Sequence, residues 1–410
     1  MTKDIIPSGW IKVRLGNLLN YEQPYKYEVV SEEYKESGIP VLTAGKSFIL
    51  GYSDEETGIY DKGNVIIFDD FTTDSKYVTF PFKVKSSAMK FLTLKNENEN
   101  SLLLIYNYLQ LFKLREVKEH KRQWLGEFSK YTFYLPSTKK EQEKIASILL
   151  KINTAIEQTQ SLINKYSNIK KGLMHDLLTY GIDEKGQIRS EKTHRFKDSP
   201  LGRIPKEWEI KTIGEITTKV GSGITPTGGS EIYLSEGVLF IRSQNVYPYG
   251  FKLDDVVYIS EKVNESMRRS QLQKFDVLLN ITGASIGRST YVPENFPCAN
   301  VNQHVCIIRL EKPSLEKAIF LSTFLNSDFG QMQIDQSNAG SNREGLNYEQ
   351  VKKIIFPLFT NDKEYISFVE TMNKVNMVID SEQKTLEKLF SQKQGLMSDL
   401  LTGKIRVKVE

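Results

Sequence analysis

The amino-acid sequence predicts an α+β fold with two mostly-β globular domains and two long helices that pair as an antiparallel coiled coil. Three observations predict it: short apolar runs bounded by turn residues, two stretches of about 40 residues with a seven-residue apolar period, and an internal pseudo-two-fold repeat containing both patterns. A chain of 410 residues exceeds the usual single domain, and its 39% of hydrophobic residues suffices for packed cores.

The repeat is visible in landmarks at both ends of each copy. Residues 7–16 and 205–214 share proline, tryptophan and glycine at the same spacing, and residues 171–179 and 394–402 are nearly identical. Such agreement at matching places is improbable by chance, so the chain is a duplication whose second copy is longer by about 25 residues. Three residues between these landmarks also recur: Arg122, Leu125 and Pro136 correspond to Arg343, Leu346 and Pro357.

Each copy begins with a mixed region in which strands predominate. Residues 63–68 and 275–279 are apolar runs typical of buried strands. The apolar stretch 102–114 fits a packed helix better, with 319–325 as its counterpart. The predicted boundaries are 1–137 for the first domain, 138–181 for the first helix, 182–204 for a polar linker, 205–358 for the second domain, 359–404 for the second helix and 405–410 for a tail.

Each copy ends in a predicted long helix with a heptad seam, and eight of ten seam positions are apolar in both helices. Since the breaks match, pairing of the two helices is favoured over the alternatives, in which each stripe faces a bundle core or a self-associating coil. The first seam is Ile145, Leu149, Ile152, Ile156, Thr159, Ile163, Tyr166, Lys170, Leu173 and Leu177; the second is Phe368, Met372, Val375, Ile379, Glu382, Leu386, Leu389, Lys393, Leu396 and Leu400.

Both helices also carry start and stop signals, a capping-box pattern before and a glycine after. Because a short connector links the first helix to the second domain, the second helix begins near that end and runs back, antiparallel to the first. A helix of about 40 residues spans roughly 60 Å. The signals are Thr138, Glu141 and Gly181 for the first helix, and Asn361, Glu364 and Gly403 for the second.

Composition narrows the class of protein. The net charge of +4 neither demands nor excludes nucleic acid. Two cysteines, Cys298 and Cys306, and four histidines give neither a disulfide framework nor zinc-ligand spacing. The sequence has no apolar run of about 18 residues and begins without a signal peptide, so we expect a cytoplasmic protein with no membrane contact.

Known catalytic signatures are absent or incomplete. The stretch 40–47 ends like a phosphate-binding P-loop, but a proline stands where the first glycine belongs. Asp69, Asp70 and Asp74 cluster without the acid-x-Lys partner of a nuclease site, which favours a polar loop after a strand. Ser285 lacks the Gly-x-Ser-x-Gly context of a nucleophile elbow. The sequence therefore predicts a non-catalytic chain with no metal site.

The loops have the composition of a DNA interface instead. Small residues let the backbone approach phosphates, and Arg, Asn and Gln read base edges. A solvated loop is the alternative for each loop taken alone, but Arg122 and Arg343 occupy equivalent places and are the strongest candidates. The candidate DNA-binding residues are Lys46, Ser47, Lys121 and Arg122 in the first copy, and Arg242, Ser243, Gln244, Asn245, Ser285, Arg288, Gln303, His304, Asn342 and Arg343 in the second.

Several motifs stand in a characteristic arrangement, namely residues 204–214, 276–287, 302–305 and 340–346, together with the helix endings 172–174 and 395–397. In this order they resemble the motifs of the specificity subunit of type I restriction-modification systems. The first copy departs more, because residues 69–73 stand where the second copy has Thr-Gly-Ala-Ser.

The resemblance implies two target-recognition domains, each reading half of a split double-stranded DNA site, with the paired helices holding them apart. It also implies two methyltransferase subunits docked on the helices and restriction subunits in the full complex. S-adenosylmethionine, ATP and magnesium would belong to those partners, with no cofactor in this chain. Two alternatives remain, the specificity chain of a fused type IIG-like restriction-methylation enzyme and a coiled-coil protein-binding scaffold. The helix residues expected to contact partners are Leu173, Met174, Leu177, Leu396, Met397 and Leu400.

Overall fold

The computed structural model describes residues 7–43, 47–113, 123–226, 232–248, 250–339 and 345–409. The chain divides into two compact units. Unit 1 comprises residues 1–162 and 382–410, and unit 2 comprises residues 163–381. Both divisions fall inside the long helices, so each unit combines a globular domain with one segment of each helix.

The globular part of unit 1 is mostly β. Its elements are β1 (Trp10–Arg14), α1 (Leu15–Leu18), β2 (Leu19–Glu22), β3 (Ile39–Leu42), β4 (Ile49–Ser53), β5 (Val65–Asp69), β6 (Ser75–Val78), β7 (Lys83–Val84), β8 (Met89–Leu94), α2 (Leu102–Lys113), α3 (Gln123–Gly126), β9 (Thr132–Pro136) and the first part of α4 (Lys139–Thr179).

These strands form an antiparallel sheet in the order β2-β8-β5-β6, a second sheet in the order β4-β3-β7, and the pair β1-β9. Every residue of β5 is buried, because its sheet is covered on both faces. That explains why the strand reads as a continuous apolar run instead of an alternating one. The predicted strand at 63–68 and the predicted helix at 102–114 are both confirmed.

Unit 2 repeats this set of elements with additions. Its elements are β10 (Phe196–Ser199), β11 (Gly202–Pro205), β12 (Glu209–Thr212), β13 (Thr217–Ser222), β14 (Val238–Ile241), β15 (Val246–Tyr247), β16 (Gly250–Phe251), β17 (Val257–Ile259), α5 (Glu261–Ser266), β18 (Val277–Asn280), β19 (Ser289–Tyr291), β20 (Ala299–Val301), β21 (Val305–Leu310), α6 (Leu315–Asn326), α7 (Asp328–Ala339), α8 (Tyr348–Lys353), β22 (Ile355–Leu358) and α9 (Asp362–Leu400), whose last part belongs to unit 1.

The sheet orders of unit 2 are β13-β21-β18-β19, β17-β14-β20 and β12-β22, which is the topology of unit 1 strand for strand. In both units one strand pair of the smaller sheet is parallel, β3 with β7 and β14 with β20. The duplication is therefore a duplication of fold. The β15-β16 hairpin and α5 lie in the longer second copy, and α6 confirms the predicted counterpart of the first helical stretch.

Two glycines mark the shared topology. Gly38 precedes β3 with φ of 127°, and Gly237 precedes β14 with φ of 132°. An added Cβ would lie 2.5 Å from the carbonyl oxygen of Ser53 in the first case and 2.7 Å from that of Ile259 in the second. A side chain at either place would force the neighbouring strand away.

The seam positions of both long helices lie in packed environments, and none of them is exposed. In unit 1 the beginning of α4, at Ile145, shares a core with the end of α9, at Leu400. In unit 2 the end of α4, at Leu177, shares a core with the beginning of α9, at Phe368. The two segments therefore run in opposite directions within each unit, as predicted. No helix in the described residues has the length and apolarity to cross a bilayer.

The seam's two lysines are half-buried. Desolvation lowers the pKa of Lys170 and of Lys393, and the carboxylates of Asp380 and Glu157, respectively, oppose that shift. The two pairs occupy equivalent places in the repeat, one in each unit. The two lysine exceptions in the heptad pattern are thus equivalent charges at the helix interface, each near an acidic residue.

The stretch predicted as a linker, 182–204, is partly folded. β10 and β11 form a hairpin, and Ile182 and Ile204 are buried in the core of unit 2. Most side chains of this stretch are polar or charged, and a few apolar residues anchor it to the core of unit 2. The linker prediction is corrected to a structured part of unit 2.

The glutamates of the predicted capping boxes bind arginines. In unit 2 the carboxylate of Glu364 accepts hydrogen bonds from both Nη atoms of Arg189. It also accepts one from the Trp208 indole N–H, at 3.2 Å. In unit 1 the carboxylate of Glu141 accepts Nε and Nη2 of Arg406 at 2.7 and 2.8 Å. Each arginine follows one long helix, so it ties that helix end to the beginning of the other helix.

Candidate nucleic-acid interface

Three loops of unit 2 that the sequence singled out lie side by side. They follow β14, follow β18 and connect β20 with β21. The Asn302 N–H donates to the Ile241 carbonyl at 3.1 Å, and the Ile281 N–H donates to the His304 carbonyl at 3.0 Å. Because strands that are neighbours in a sheet end at one edge, residues distant in sequence form one polar surface there.

Asn280 is a buried residue that joins the loop after β14 to the loop after β18. Its side chain is fully buried, and its Nδ2 donates to the Ser243 carbonyl at 2.8 Å and to Ser285 Oγ at 3.0 Å. Its backbone N–H donates to the Arg288 carbonyl at 2.8 Å. Its Oδ1 is buried with no partner among the described residues. Sequence analysis missed this residue, since an amide at the end of an apolar strand gives no signal of a role.

Arg242 and Gln244 converge on one acid. Arg242 Nη2 donates to the Asp255 carbonyl at 2.9 Å and lies 3.7 Å from its carboxylate, and Gln244 Nε2 donates to that carboxylate at 2.5 Å. Asp255 is exposed, so DNA phosphates can compete with it for both donors. These two predicted residues lie at the surface and share a fixed orientation.

Asn245 has a different position from its predicted neighbours. Its side chain is buried, its Nδ2 donates to the carbonyls of Lys252 and Asp255, and its Oδ1 accepts the Arg242 N–H at 3.0 Å. These bonds hold the turn that presents Arg242 and Gln244. The structure therefore gives Asn245 a positioning role within its own loop.

Gln303 and His304 lie on the third loop. Gln303 is exposed, and its Oε1 accepts the Thr225 N–H at 3.1 Å. The Nδ1 of His304 pairs with the Thr282 hydroxyl, and its Nε2 lies 3.3 Å from the Gln303 amide nitrogen. The ring is thus held between two loops, and its free edge faces the surface that carries Gln303.

Arg288 projects from the turn after β18. Its guanidinium lies 4.9 Å from the centroid of the Tyr247 ring. Within the described residues no carboxylate pairs with it, unlike Arg242. Gly287 beside it has φ of 85°, and a Cβ there would lie 2.5 Å from Gln331 Oε1. Sequence analysis named Arg288 but missed Tyr247, whose contact depends on the β15-β16 hairpin.

Unit 1 closes the corresponding turn with equivalent backbone hydrogen bonds, but that turn is shorter, 70–73 against 281–287. In the strand registers Asp69 corresponds to Asn280. The Asp69 N–H donates to the Asp74 carbonyl at 2.8 Å, and Thr73, with φ of 61°, takes the place of Gly287. The Asp69 carboxylate accepts the backbone N–H groups of Phe71 and Thr72 at 2.8 and 3.0 Å. The aspartate cluster is therefore a polar loop after a strand, as predicted.

Five of the candidate DNA-binding residues lie outside the described residues, and their contact with DNA stays a prediction. Ser47, in contrast, is exposed between β3 and β4. The candidates outside the described part of the chain are Lys46, Lys121, Arg122, Asn342 and Arg343.

The helix residues expected to contact partners lie largely in the interior of the chain. Leu177, Met397 and Leu400 are buried in the cores of their units, because the antiparallel pairing uses their apolar side chains. Leu173, Met174 and Leu396 are partly buried against the same cores. Other apolar side chains of α4 and α9 are exposed, namely Leu150, Ile169, Ile366, Met377, Val378 and Phe390.

The described residues contain no group of three or more His, Cys, Asp and Glu side chains placed to hold a metal ion. Burial raises the pKa of the Cys306 thiol to about 12, so the thiol stays protonated at neutral pH. The polar surface of unit 2 can donate and accept hydrogen bonds in fixed directions. This chemistry suits recognition of a large polar ligand.

A duplicated β-rich domain with polar loops at one sheet edge, attached to paired helices, defines a class of recognition protein. The chain belongs to the family of type I restriction modification DNA specificity domains, which it matches at residues 7–165 and 205–389. The two matched ranges correspond to the two copies of the repeat.

Curated relatives carry the same designation. The chain is 37% identical over 236 residues to the type I restriction enzyme EcoR124I/EcoR124II specificity subunit of Escherichia coli, covering 57% of this chain and 54% of that protein. It is 24% identical over 425 aligned residues to the MjaVIII specificity subunit of Methanocaldococcus jannaschii, covering 98% of this chain and 94% of that one. The chain thus spans about half of the first relative and nearly all of the second.

Solved structures share the fold. The type I restriction-modification S subunit from M. genitalium superposes with a TM-score of 0.63 at 17% identity, covering 98% of both chains. A second chain comes from structural work on complex assembly and conformational transition of the type I R-M system. It superposes with a TM-score of 0.54 at 13% identity, covering 98% of this chain and all of that one. At these identities the likeness concerns the fold.

Proposed function

We propose that this chain is the DNA-specificity subunit of a type I restriction-modification enzyme. Each unit reads one half of a split double-stranded site, and the chain itself performs no chemistry. The observation that carries the proposal is the position of Arg242, Gln244, Arg288, Gln303 and His304 on three hydrogen-bonded loops of a duplicated domain whose family is DNA specificity. Forked and planar donors of this kind read base edges.

The length of the helices suits a split site. A helix of 41 residues such as α4 is about 60 Å long. One turn of DNA is roughly 34 Å, so that length matches one to two turns of the duplex. In this proposal the helix length determines the spacer between the half-sites.

We assign partner docking to the exposed apolar side chains of the helices. Met377 and Phe390 are 71% and 48% exposed, so a partner that covers them would remove their apolar surface from water. Two methyltransferase subunits would dock there, with restriction subunits in the full complex. Those partners would bring S-adenosylmethionine, ATP and magnesium.

The proposed function is tested by sequencing the methylome of cells that express this chain with its neighbouring methyltransferase. Matched cells that lack only this chain are the control. We expect adenine methylation at one split motif to disappear in the control. Unchanged methylation in an active system would show that this chain does not direct it and would favour the protein-binding scaffold.

The docking assignment has its own test. Met377→Glu or Phe390→Glu should weaken co-purification of the methyltransferase, because a charge is buried at the interface. Val30→Glu is the matched control, since Val30 is 90% exposed and lies away from the helices. Equal retention of the partner by all three variants would contradict docking at these side chains. A partner that is one fused enzyme would identify the type IIG-like alternative.

A further inference from the structure

We propose that Arg288 reads a guanine in the half-site bound by unit 2, with Tyr247 and Asn280 positioning it. This inference rests on the proposed function and adds the base and the residue that selects it. The argument has three parts: the charge of Arg288 is available, its in-plane donors are open, and its backbone is fixed.

The first part concerns charge. Arg242 shares Asp255 with Gln244, so its guanidinium is already engaged in the unbound chain. Arg288 has no carboxylate partner within the described residues, and its only recorded side-chain contact there is with an aromatic ring. Of these two arginines at the sheet edge, Arg288 therefore brings the uncompensated charge to a ligand.

The second part concerns geometry. Tyr247 lies with its ring centroid 4.9 Å from the Arg288 guanidinium carbon. A contact with an aromatic ring uses none of the guanidinium N–H donors, and within the described residues the Arg288 side chain donates no hydrogen bond, so its N–H groups stay available. Two parallel donors in one plane match the O6 and N7 acceptors of guanine in the major groove, and this pairing is the commonest specific arginine contact.

The third part concerns rigidity. The Arg288 carbonyl accepts the Asn280 N–H at 2.8 Å, and the Arg288 N–H donates to the Ser285 carbonyl at 3.1 Å. Gln331 Nε2 donates to the Gly287 carbonyl at 3.0 Å, which anchors the turn from its other side. Asn280 ties the same turn to the Ser243 loop. Because the backbone of Arg288 is already held in place, a base contact by its side chain costs little conformational entropy.

A phosphate contact is the competing role for a free arginine, and lysine distinguishes the two. Lysine keeps the charge, so it preserves a phosphate contact, but it cannot make the planar two-donor pairing. The experiment is methylome sequencing of cells that express the methyltransferase with the wild-type chain, Arg288→Lys or Tyr247→Leu. Arg203→Lys is the matched control, because Arg203 lies at the surface on β11 and pairs with Glu191.

We expect Arg288→Lys to lower the preference for guanine at one position of one half-site by about 5-fold to 100-fold, leaving the other half-site unchanged. Tyr247→Leu should lower it less, at the same position. Arg203→Lys should keep the wild-type motif. Retention of every preferred base by Arg288→Lys, with or without weaker methylation overall, would overturn the inference and assign Arg288 to phosphate.

Two further results separate this inference from the proposed function. A wild-type chain that directs no split motif would reject the function itself. A variant that forms no complex with the methyltransferase is assayed instead as Arg288→Gln, which keeps a planar donor and acceptor. Arg288→Gln should exchange guanine for adenine at that position, because glutamine pairs with adenine N6 and N7. Guanine retained there would again overturn the inference.

Discussion

The turns that follow β5 in unit 1 and β18 in unit 2 close with the same backbone hydrogen bonds but differ in length and in their side chains. In both, the last strand residue donates its N–H to the carbonyl of Asp74 or Arg288 at 2.8 Å, and the residue before that carbonyl has positive φ. An acid thus stands in unit 1 where an arginine stands in unit 2. The comparison teaches that the repeat preserves backbone hydrogen bonds while the presented chemistry is free to change.

The buried residue beneath each turn differs in the same way. Asp69 accepts two backbone N–H groups, which folds its turn back on itself. Asn280 donates to a second loop instead, which ties two loops together. The direction of hydrogen bonding at this position therefore differs between the units, since Asp69 binds its own turn and Asn280 also binds a second loop.

A second pair of equivalent positions lies in the smaller sheets. Lys83 of β7 corresponds to Asn300 of β20 in the strand registers. Lys83 is buried and pairs with Glu55 at 2.7 Å, whereas Asn300 donates to Asn264 at 3.0 Å. Unit 1 stabilises this position with a titratable ion pair, and unit 2 with neutral amides.

The largest expected difference between the units concerns their arginine–glutamate pairs. Arg189 is 8% exposed and Arg406 43%, so Glu364→Gln removes a more deeply buried carboxylate partner than Glu141→Gln, although Glu207 still lies 3.0 Å from Arg189 Nε. We expect losses of about 3 kcal/mol in unit 2 and about 1 kcal/mol in unit 1. Hydrogen exchange of each unit measures both. Equal losses would contradict the ranking.

The next effect comes from exchanging the two buried turn residues. Asn280→Asp places a carboxylate against the Ser243 carbonyl and should destabilise unit 2 by about 2 kcal/mol. Asp69→Asn keeps an oxygen for its two N–H donors and should cost unit 1 about 1 kcal/mol or less. Chemical denaturation with hydrogen exchange as the readout measures the stability loss of each variant in its own unit. A larger loss from Asp69→Asn would mean that its charge, and not its geometry, holds the turn.

A smaller difference should appear on acidification. The hydrogen bond from Lys83 holds the pKa of Glu55 below its ordinary value of 4.5. A lowered folded-state pKa stabilises the fold fully above the unfolded-state pKa, and the contribution is lost as pH falls through the folded-state value. Glu55→Gln should therefore cost unit 1 stability at pH 7 and progressively less as the pH falls below 4.5.

The neutral pair of unit 2 supplies the control for that experiment. Asn264→Ala breaks the contact with Asn300 without removing a titratable group. Its cost should be the same at neutral and acidic pH. A Glu55→Gln cost that is also independent of pH would show that the ion pair contributes no acid sensitivity.

The smallest expected effect concerns the helix lysines. Desolvation disfavours the charged forms of Lys170 and Lys393, so Lys→Met at either position should stabilise its unit, by about 1 kcal/mol or less. Melting temperatures of the two single variants and the double variant measure this. Lys171→Met, at an exposed neighbouring position, is the control. Lower melting temperatures for Lys170→Met and Lys393→Met would mean that Asp380 and Glu157 more than offset the desolvation.

Much of the fold follows from local patterns in the sequence. Apolar runs predicted β5 and β18, and the heptad seams predicted α4 and α9, because burial dictates those periods. The short connector between the copies predicted that the two helices are antiparallel. The linker prediction failed at 182–204 because polarity of a segment does not report a few anchoring residues. A signal existed in the recurrence of Gly-x-Ile-Arg at 186–189 and 403–406, whose arginines bind Glu364 and Glu141.

The candidate site was predictable by loop and less so by residue. Arg242, Gln244, Arg288 and Gln303 have the chemistry of readers and lie at the surface or partly exposed. Asn245 has the same chemistry, but its side chain holds its own turn. Contacts of this kind join residues far apart in sequence, as the stacking of Arg288 on Tyr247 does across the β15-β16 hairpin, and a single sequence does not reveal them.

The central claim is that each unit reads its own half-site through side chains carried on a common scaffold. The most direct measurement is the methylome of cells that express the methyltransferase with a chain in which residues 205–358 also replace residues 7–137. The account predicts a methylated motif whose two halves specify the same bases, those of the half-site read by unit 2. Persistence of the original split motif in an active complex would contradict it.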